Sequence, residues 1–353
     1  MSTSRFAPRP WWPTPFVGLL GGWLASLVHW PLPWITGALI AVTLCRCQGW
    51  RITAIPHGRP AGQWLIATAI GLHFTPAVLT EVVRHLPLMA LAAIATLLLA
   101  LVGITAVQRL GTERKTAFFA FMPANFAEMI NLAERHGADA PKVAAAHTLR
   151  LVIIVLVVPP AMLWGVPGIA QAAHVPPPPD WRWLAPLLAA GLVAALAWKR
   201  RGWPNPWMFG PLALCCLVTA SSGLVTSLPP TLSHLAQMLI GVTLGCHFDR
   251  AFFRRSPRFL LLATLYTLLC LAATFLIAWL LAQVFALPFT TLGLGMTPGS
   301  TTEMYLTAEA LGLGVGTVTA MQILRLVVVM AVAEPLYRRW CARSVEPVTR
   351  ESP

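Results

Sequence analysis

"TPGSTTEMYLTAE" (residues 297–309) stands between two long apolar runs and would interrupt any helix that carried it across a bilayer. Pro298 removes a backbone donor and disrupts the preceding turn. Glu303 and Glu309 are costly in hydrocarbon unless they face protein or a water-filled cavity. The stretch has an earlier copy, "MPANFAEMINLAE" at 122–134, which places Pro123, Glu128 and Glu134 where Pro298, Glu303 and Glu309 stand.

The copy belongs to a duplication that fills the chain. "PWITG" (33–37) returns as "PWMFG" (206–210), and Gln63 with "GLHF" (71–74) returns as Gln237 with "GCHF" (245–248). "HTLRLV" (147–152) returns as "QILRLV" (322–327). The offset stays between 173 (33 to 206) and 175 (122 to 297). Chance similarity between apolar runs would not keep Pro, Gln, His, Glu and Arg in register. The units are repeat 1 (1–175) and repeat 2 (180–340), joined by the proline-rich "HVPPPPD" (174–180), with a polar cytoplasmic tail at 341–353.

Of the 353 residues, 57% are hydrophobic and only 10% charged. Soluble domains run nearer 45–50% apolar and about 25% charged. Windows such as "LPLMALAAIATLLLALVGITAV" (86–107) and "FLLLATLYTLLCLAATFLIAWLLAQVF" (259–285) reach the length that crosses a bilayer, about 20 residues. The fold class is therefore an all-α integral membrane protein. The net charge of +13 is dispersed in clusters between apolar runs: Arg46 and Arg51, Arg109 to Lys115, Lys199 to Arg201, Arg250 to Arg258 and Arg338 to Arg343. Cytoplasmic loops carry this excess, so no direct nucleic-acid contact is expected. Seven cysteines without zinc spacing imply packing residues and no metal site. Arg5 and Arg9 precede an apolar run without a convincing cleavage site, which reads as a retained helix.

Walking the basic clusters gives ten crossings: 11–29, 32–45, 62–83, 86–108, 142–163, 183–198, 207–224, 233–250, 259–286 and 314–337. Segments 116–137 and 289–312 then become broken or re-entrant. The repeats run with opposite sense, and both termini lie in the cytoplasm of a bacterial inner membrane. Only Arg84 falls on the outside. Treating both interrupted segments as full crossings gives twelve spans and parallel repeats, and leaves basic clusters on the wrong side.

A half-helix that opens after each break presents free N–H groups and a dipole to an anion. Asn125 follows the first break; after the second, Pro298 is followed by Gly299, Ser300, Thr301 and Thr302, with Gly299 allowing close approach where repeat 1 has Ala124. Glu128 and Glu303 are candidates for ion or proton coupling. Arg150 and Arg325 each lie 22 residues after their glutamate, a spacing that suits a salt bridge, an anion contact or both. His147 and Gln322, one turn before these arginines, read as polar packing contacts. Glu134 and Glu309 are expected to be solvated, His73 and His247 structural, and Asp249 with Arg250 a surface turn. No Gly-rich phosphate loop or nucleophile triad is present, so no enzyme activity and no cofactor are expected.

"PGSTTEM" (298–304), "ILRLVVV" (323–329) and the paired "PW..G" blocks make the sequence resemble the AbrB-type membrane protein family over about residues 15–340. That family has a duplicated membrane domain and has also been labelled ammonia monooxygenase; "MPANFAEM" departs from its Pro-Gly form. With the repeats and buried Glu and Arg residues, the expected function is a secondary transporter. It would move a small anionic or zwitterionic solute with H⁺ or Na⁺ coupling. The resemblance also implies a membrane protein that regulates gene expression indirectly. A copper monooxygenase would need clustered ligands, and the nine histidines are scattered. The expected partners are the lipid bilayer and a small-molecule or ion substrate, and a homodimer is compatible with this plan.

Overall fold

The computed structural model describes residues 10–166 and 177–341, and these are helical with no strand among them. The first half contributes α1 (Thr14–Leu27), α2 (Pro33–Cys47), α3 (Gly58–Leu72), α4 (Pro76–Arg84), α5 (Leu86–Arg109), α6 (Arg114–Phe121), α7 (Phe126–Arg135) and α8 (Ala140–Gly165). The second contributes α9 (Trp181–Arg200), α10 (Pro206–Ser222), α11 (Pro230–Gly245), α12 (Arg250–Arg255), α13 (Pro257–Val284), α14 (Phe289–Met296), α15 (Thr301–Ala310) and α16 (Val315–Cys341). The Met1–Arg9 stretch, residues 167–176 of the linker region and the tail from 342 lie outside the described residues.

Among the described residues, five helices are long and apolar enough to cross a membrane: α5, α8, α9, α13 and α16. The expected span 62–83 is broken, because α3 and α4 meet at an 86° bend. His73 and Phe74 end α3, while the Thr75 hydroxyl caps α4, accepting from the Val78 N–H at 3.4 Å. The expected crossings 11–29, 32–45, 207–224 and 233–250 fall on α1, α2, α10 and α11, of 14, 15, 17 and 16 residues. At 1.5 Å per residue these reach about 21–26 Å, less than the roughly 30 Å hydrocarbon core.

The helices form two bundles, each drawn from both halves of the chain. In one, α1 packs on α2, α2 on α11, α11 on α3, α3 on α10 and α10 on α9. Backbones touch here: a Cβ on Gly21 would lie 2.4 Å from the Gly37 carbonyl oxygen, and one on Gly241 would lie 2.3 Å from that of Ile35. Small residues permit this approach, which drives helix association in membranes. In the other bundle, α13 and α16 pack on α5 and on α14, and α8 packs on α6, α7 and α13. The bundles meet where α3 packs on α15 and α16, and where α4 packs on both α10 and α16.

Asp249 and Arg250 are more than a surface turn. Asp249 caps α12 through the Phe252 N–H at 2.8 Å and pairs with Arg46 of α2 at 3.3 Å. Arg250 Nε donates to the Cys47 carbonyl at 2.6 Å. Both residues tie the second half of the chain to the first.

Candidate functional site

The two interrupted segments break as their prolines require. Helix α6 stops at Phe121 and α7 starts at Phe126; α14 stops at Met296 and α15 starts at Thr301. In each break a three-residue turn closes around the proline. The Ala124 N–H donates to the Met122 carbonyl at 2.9 Å, and the Gly299 N–H donates to the Thr297 carbonyl at 2.8 Å. Proline suits the centre of such a turn because its φ is already near −65°. Pro123 and Pro298 line one small void of about 10 Å³ beside Arg150 and Tyr266, so the two breaks meet.

A broken helix leaves its last carbonyls without partners, and inside a membrane no bulk water replaces them. Matching side chains on α8 and α16 fill the gap. His147 Nε2 lies 2.9 Å from the Phe119 carbonyl, while Gln322 Nε2 donates to the equivalent Leu294 carbonyl at 2.6 Å. Arg150 Nη1 donates to Met122 O at 3.2 Å. Arg325 donates to Met296 O at 3.3 Å, to Gly299 O at 3.0 Å and also to Thr297 O. Each arginine also meets the polar residue one turn earlier: Arg150 Nη2 lies 3.0 Å from His147 Nδ1, and Arg325 Nη2 lies 2.7 Å from Gln322 Oε1. Imidazole and carboxamide play one part here, each donating to a carbonyl and accepting from a guanidinium. On that geometry His147 is neutral with its proton on Nε2.

The expected ion pairs are absent among the described residues. Neither Arg150 with Glu128 nor Arg325 with Glu303 comes within salt-bridge distance. The carbonyls exposed by the breaks take the guanidiniums instead. Glu128 is half-buried on the first turn of α7. Glu303 is 4% exposed, with Oε2 lacking a hydrogen-bond partner, and it attracts Arg59 electrostatically.

A cavity of about 320 Å³ lies where the breaks face α3 and α10. Of the expected site residues, Asn125, His147, Arg150, Gly299, Ser300, Thr301 and Arg325 line it. Glu128, Glu303, Pro298, Thr302 and Gln322 do not. Thr302 is buried, its hydroxyl 3.8 Å from Met208 Sδ, while Ser300 caps α15 by accepting from the Thr302 N–H at 3.3 Å. Gly299 has no left-handed backbone; a Cβ there would meet Ile154 Cγ2 at 3.2 Å, so the glycine serves packing against α8.

The sequence reading overlooked Arg59 and Asn205, and took Gln63 only as a marker of the repeat. All three line the cavity. Arg59 sits one helical turn before Gln63 on α3, a spacing that puts both on one face. Asn205 is the left-handed residue (φ 48°) that starts α10, matching Leu32 (φ 53°) before α2.

A second cavity of about 460 Å³ lies at the other end of α15 and is lined by His73, Glu81, His234, Gln237 and Glu309 among others. Glu134 is exposed, whereas Glu309 is half-buried and accepts from the Tyr305 hydroxyl at 2.7 Å, unlike the solvated residue expected. Glu81 accepts from Thr317 at 3.3 Å. No group of three or more His, Cys, Asp or Glu among the described residues could hold a metal ion.

The chain is similar to known proteins over almost all of its length. It is 24% identical over 351 residues to the uncharacterized protein YhjN of Bacillus subtilis (strain 168), covering 91% of each chain. It is 26% identical over 312 residues to the Putative regulator AbrB of Escherichia coli (strain K12), covering 86% of this chain and 88% of that one. The family model described as transition state regulatory protein AbrB matches residues 11–341, and the chain belongs to that family.

Proposed function

We propose that this protein is a secondary transporter for a small anionic solute, with the crossed breaks as its binding site and Glu303 as the coupling carboxylate. The observation that carries the reading is the cavity itself: it lies between two helix bundles, at two broken helices, and is lined by arginines. Transporters commonly place their sites at such interfaces, on half-helix ends. Glu303 sits on α15, whose first turn lines this cavity and whose last turn lines the second. A carboxylate between two cavities can take a proton or Na⁺ from one side and release it to the other. Its attraction to Arg59 links that step to an anion at Arg59.

The inverted arrangement of the repeats fits the same picture. Gln63 lines the first cavity and its counterpart Gln237 the second; Asn205 and Leu32 divide in the same way. The first cavity opens beside α3 and α10, which follow the basic clusters at 46–51 and 199–201, so it faces the cytoplasm under the positive-inside rule. Reporter fusions after residue 174 and within 222–230 should read outside, and fusions at 112 and 252 inside. If 112 and 174 read the same side, the repeats are not inverted.

Uptake and efflux in proteoliposomes, screened over metabolites with an imposed pH or sodium gradient, test transport. Glu303→Gln should abolish gradient-driven accumulation, and Glu128→Gln should weaken it less. Transport unaffected by either change removes the coupling role.

Regulation of gene expression is the second reading, favoured by the name of the Escherichia coli relative. It would act indirectly, through the solute moved.

A further inference from the structure

The geometry points to a compact organic or inorganic dianion as the occupant of the first cavity, and to Arg59 as the residue that reads it. This deepens the transport reading by naming a ligand class and by moving recognition away from Arg150 and Arg325.

Three guanidiniums line the cavity, no Asp or Glu does, and none of the three takes part in an ion pair among the described residues. Arg150 and Arg325 are 6% and 4% exposed, and each leaves its Nε–H without a partner. Buried charge without a counter-charge is strongly unfavourable. The nearby negative group is the buried carboxylate of Glu303, which attracts Arg59. With three guanidiniums and no carboxylate in the lining, positive charge is in excess, so a ligand with two negative charges balances the cavity better than a monoanion.

The arginines divide the work. The Nη groups of Arg150 and Arg325 are committed to carbonyls of the breaks and to His147 and Gln322, and turning them toward a ligand would strip those partners. Arg59 is held only loosely, its guanidinium 5.8 Å from the centre of the Phe126 ring, and it is half-buried at the start of α3. It can swing onto an acid group without undoing either break. Gln63 and Asn205 beside it supply neutral hydrogen-bonding groups, and α7 and α15 turn their N-termini toward the same space. At about 30 Å³ per water-sized atom, the volume admits roughly ten non-hydrogen atoms, enough for a short dicarboxylate or a phosphate.

The duplication marks Arg59 as specific to this cavity. Its counterpart, offset by 174 as Gln63 is from Gln237, is Ser233, which lines the second cavity. The breaks and their arginines recur in both halves, and Arg59 does not. A part that belongs to the scaffold would be expected in both.

The test is thermal unfolding of the full chain in nanodiscs of zwitterionic lipid at constant ionic strength, with succinate, phosphate, sulfate, butyrate or choline added. At least one of the three dianions should raise the melting temperature in a saturable manner, and butyrate and choline should not. Arg59→Gln should melt as wild type without ligand and bind that dianion at least tenfold more weakly, with Arg59→Lys in between. Equal responses of wild type and Arg59→Gln, an equal response to butyrate, or none to any dianion would overturn the proposal. Repeating the titration with phosphatidylglycerol in the disc identifies a lipid phosphate as occupant: if it abolishes the dianion response, the site belongs to headgroups and the solute assignment fails. Dianion binding without transport in proteoliposomes would refute the transport reading and leave this one standing.

Discussion

His147 Nδ1 lies 3.0 Å from Arg150 Nη2, while the Nε2 of the same ring lies 2.9 Å from the Phe119 carbonyl. The imidazole thus links a buried guanidinium to the end of a broken helix, as Gln322 does for Arg325. His147→Gln should therefore preserve stability, because a carboxamide offers the same donor and acceptor. His147→Ala leaves the Phe119 carbonyl bare at a cost of about 1–3 kcal/mol. Melting temperatures of the two variants in one detergent check this, and an equal loss in both would refute the equivalence.

The two arginines should differ in structural weight. Arg325 serves three carbonyls and Gln322, whereas Arg150 serves one carbonyl and His147. Each carbonyl left unsatisfied costs about 1–3 kcal/mol. Arg325→Met should consequently lower the melting temperature more than Arg150→Met. Size-exclusion profiles and thermal melts of the two proteins provide the comparison.

Gly37 is sterically closed. A Cβ there would lie 2.2 Å from the Gly21 carbonyl oxygen, which belongs to a helix backbone and cannot move aside alone. Gly37→Val should separate α1 from α2 and prevent accumulation of folded protein. Gly165→Ala, where nothing lies within 4 Å, should be harmless. The yield of monodisperse protein reads both.

Asp139 caps the start of α8, accepting from the Lys142 N–H at 3.0 Å and pairing with the Lys142 ammonium at 2.8 Å. Burial alone would raise its carboxyl, but these contacts with Lys142 outweigh that and hold it below the ordinary value. A depressed folded value means that its stabilisation is present above the unfolded pKa, about 3.9, and is lost as pH falls through the lower folded value. Asp139→Ala should melt a few degrees below wild type at pH 7, and the gap should narrow below about pH 4. An unchanged gap at pH 3 would assign the effect to packing.

Much of the plan is legible in the chain. Pro123 and Pro298 announce the breaks because a ring on nitrogen cannot continue a helix. The in-register return of Arg150 as Arg325 marks polar positions inside apolar helices. The partners of those arginines were not legible. A spacing of 22 residues suggested Glu128 and Glu303, yet the acceptors are main-chain carbonyls, which every residue carries and no sequence pattern distinguishes. Arg59 escaped for the opposite reason: a reading guided by the duplication favours what recurs, and Arg59 does not.

The sequence by itself determined that the chain lives in a membrane, that its two halves carry the same blocks in the same order, and where two helices must break. Those features follow from local chemistry: apolar composition, the missing N–H of proline and the cost of charge in hydrocarbon. Only the tertiary structure decided that both breaks meet at one cavity, that Arg150 and Arg325 hold the breaks open, and that Glu303 is buried while Glu128 is half-exposed. Those outcomes depend on which helix faces which across hundreds of residues, and local chemistry carries no record of that choice.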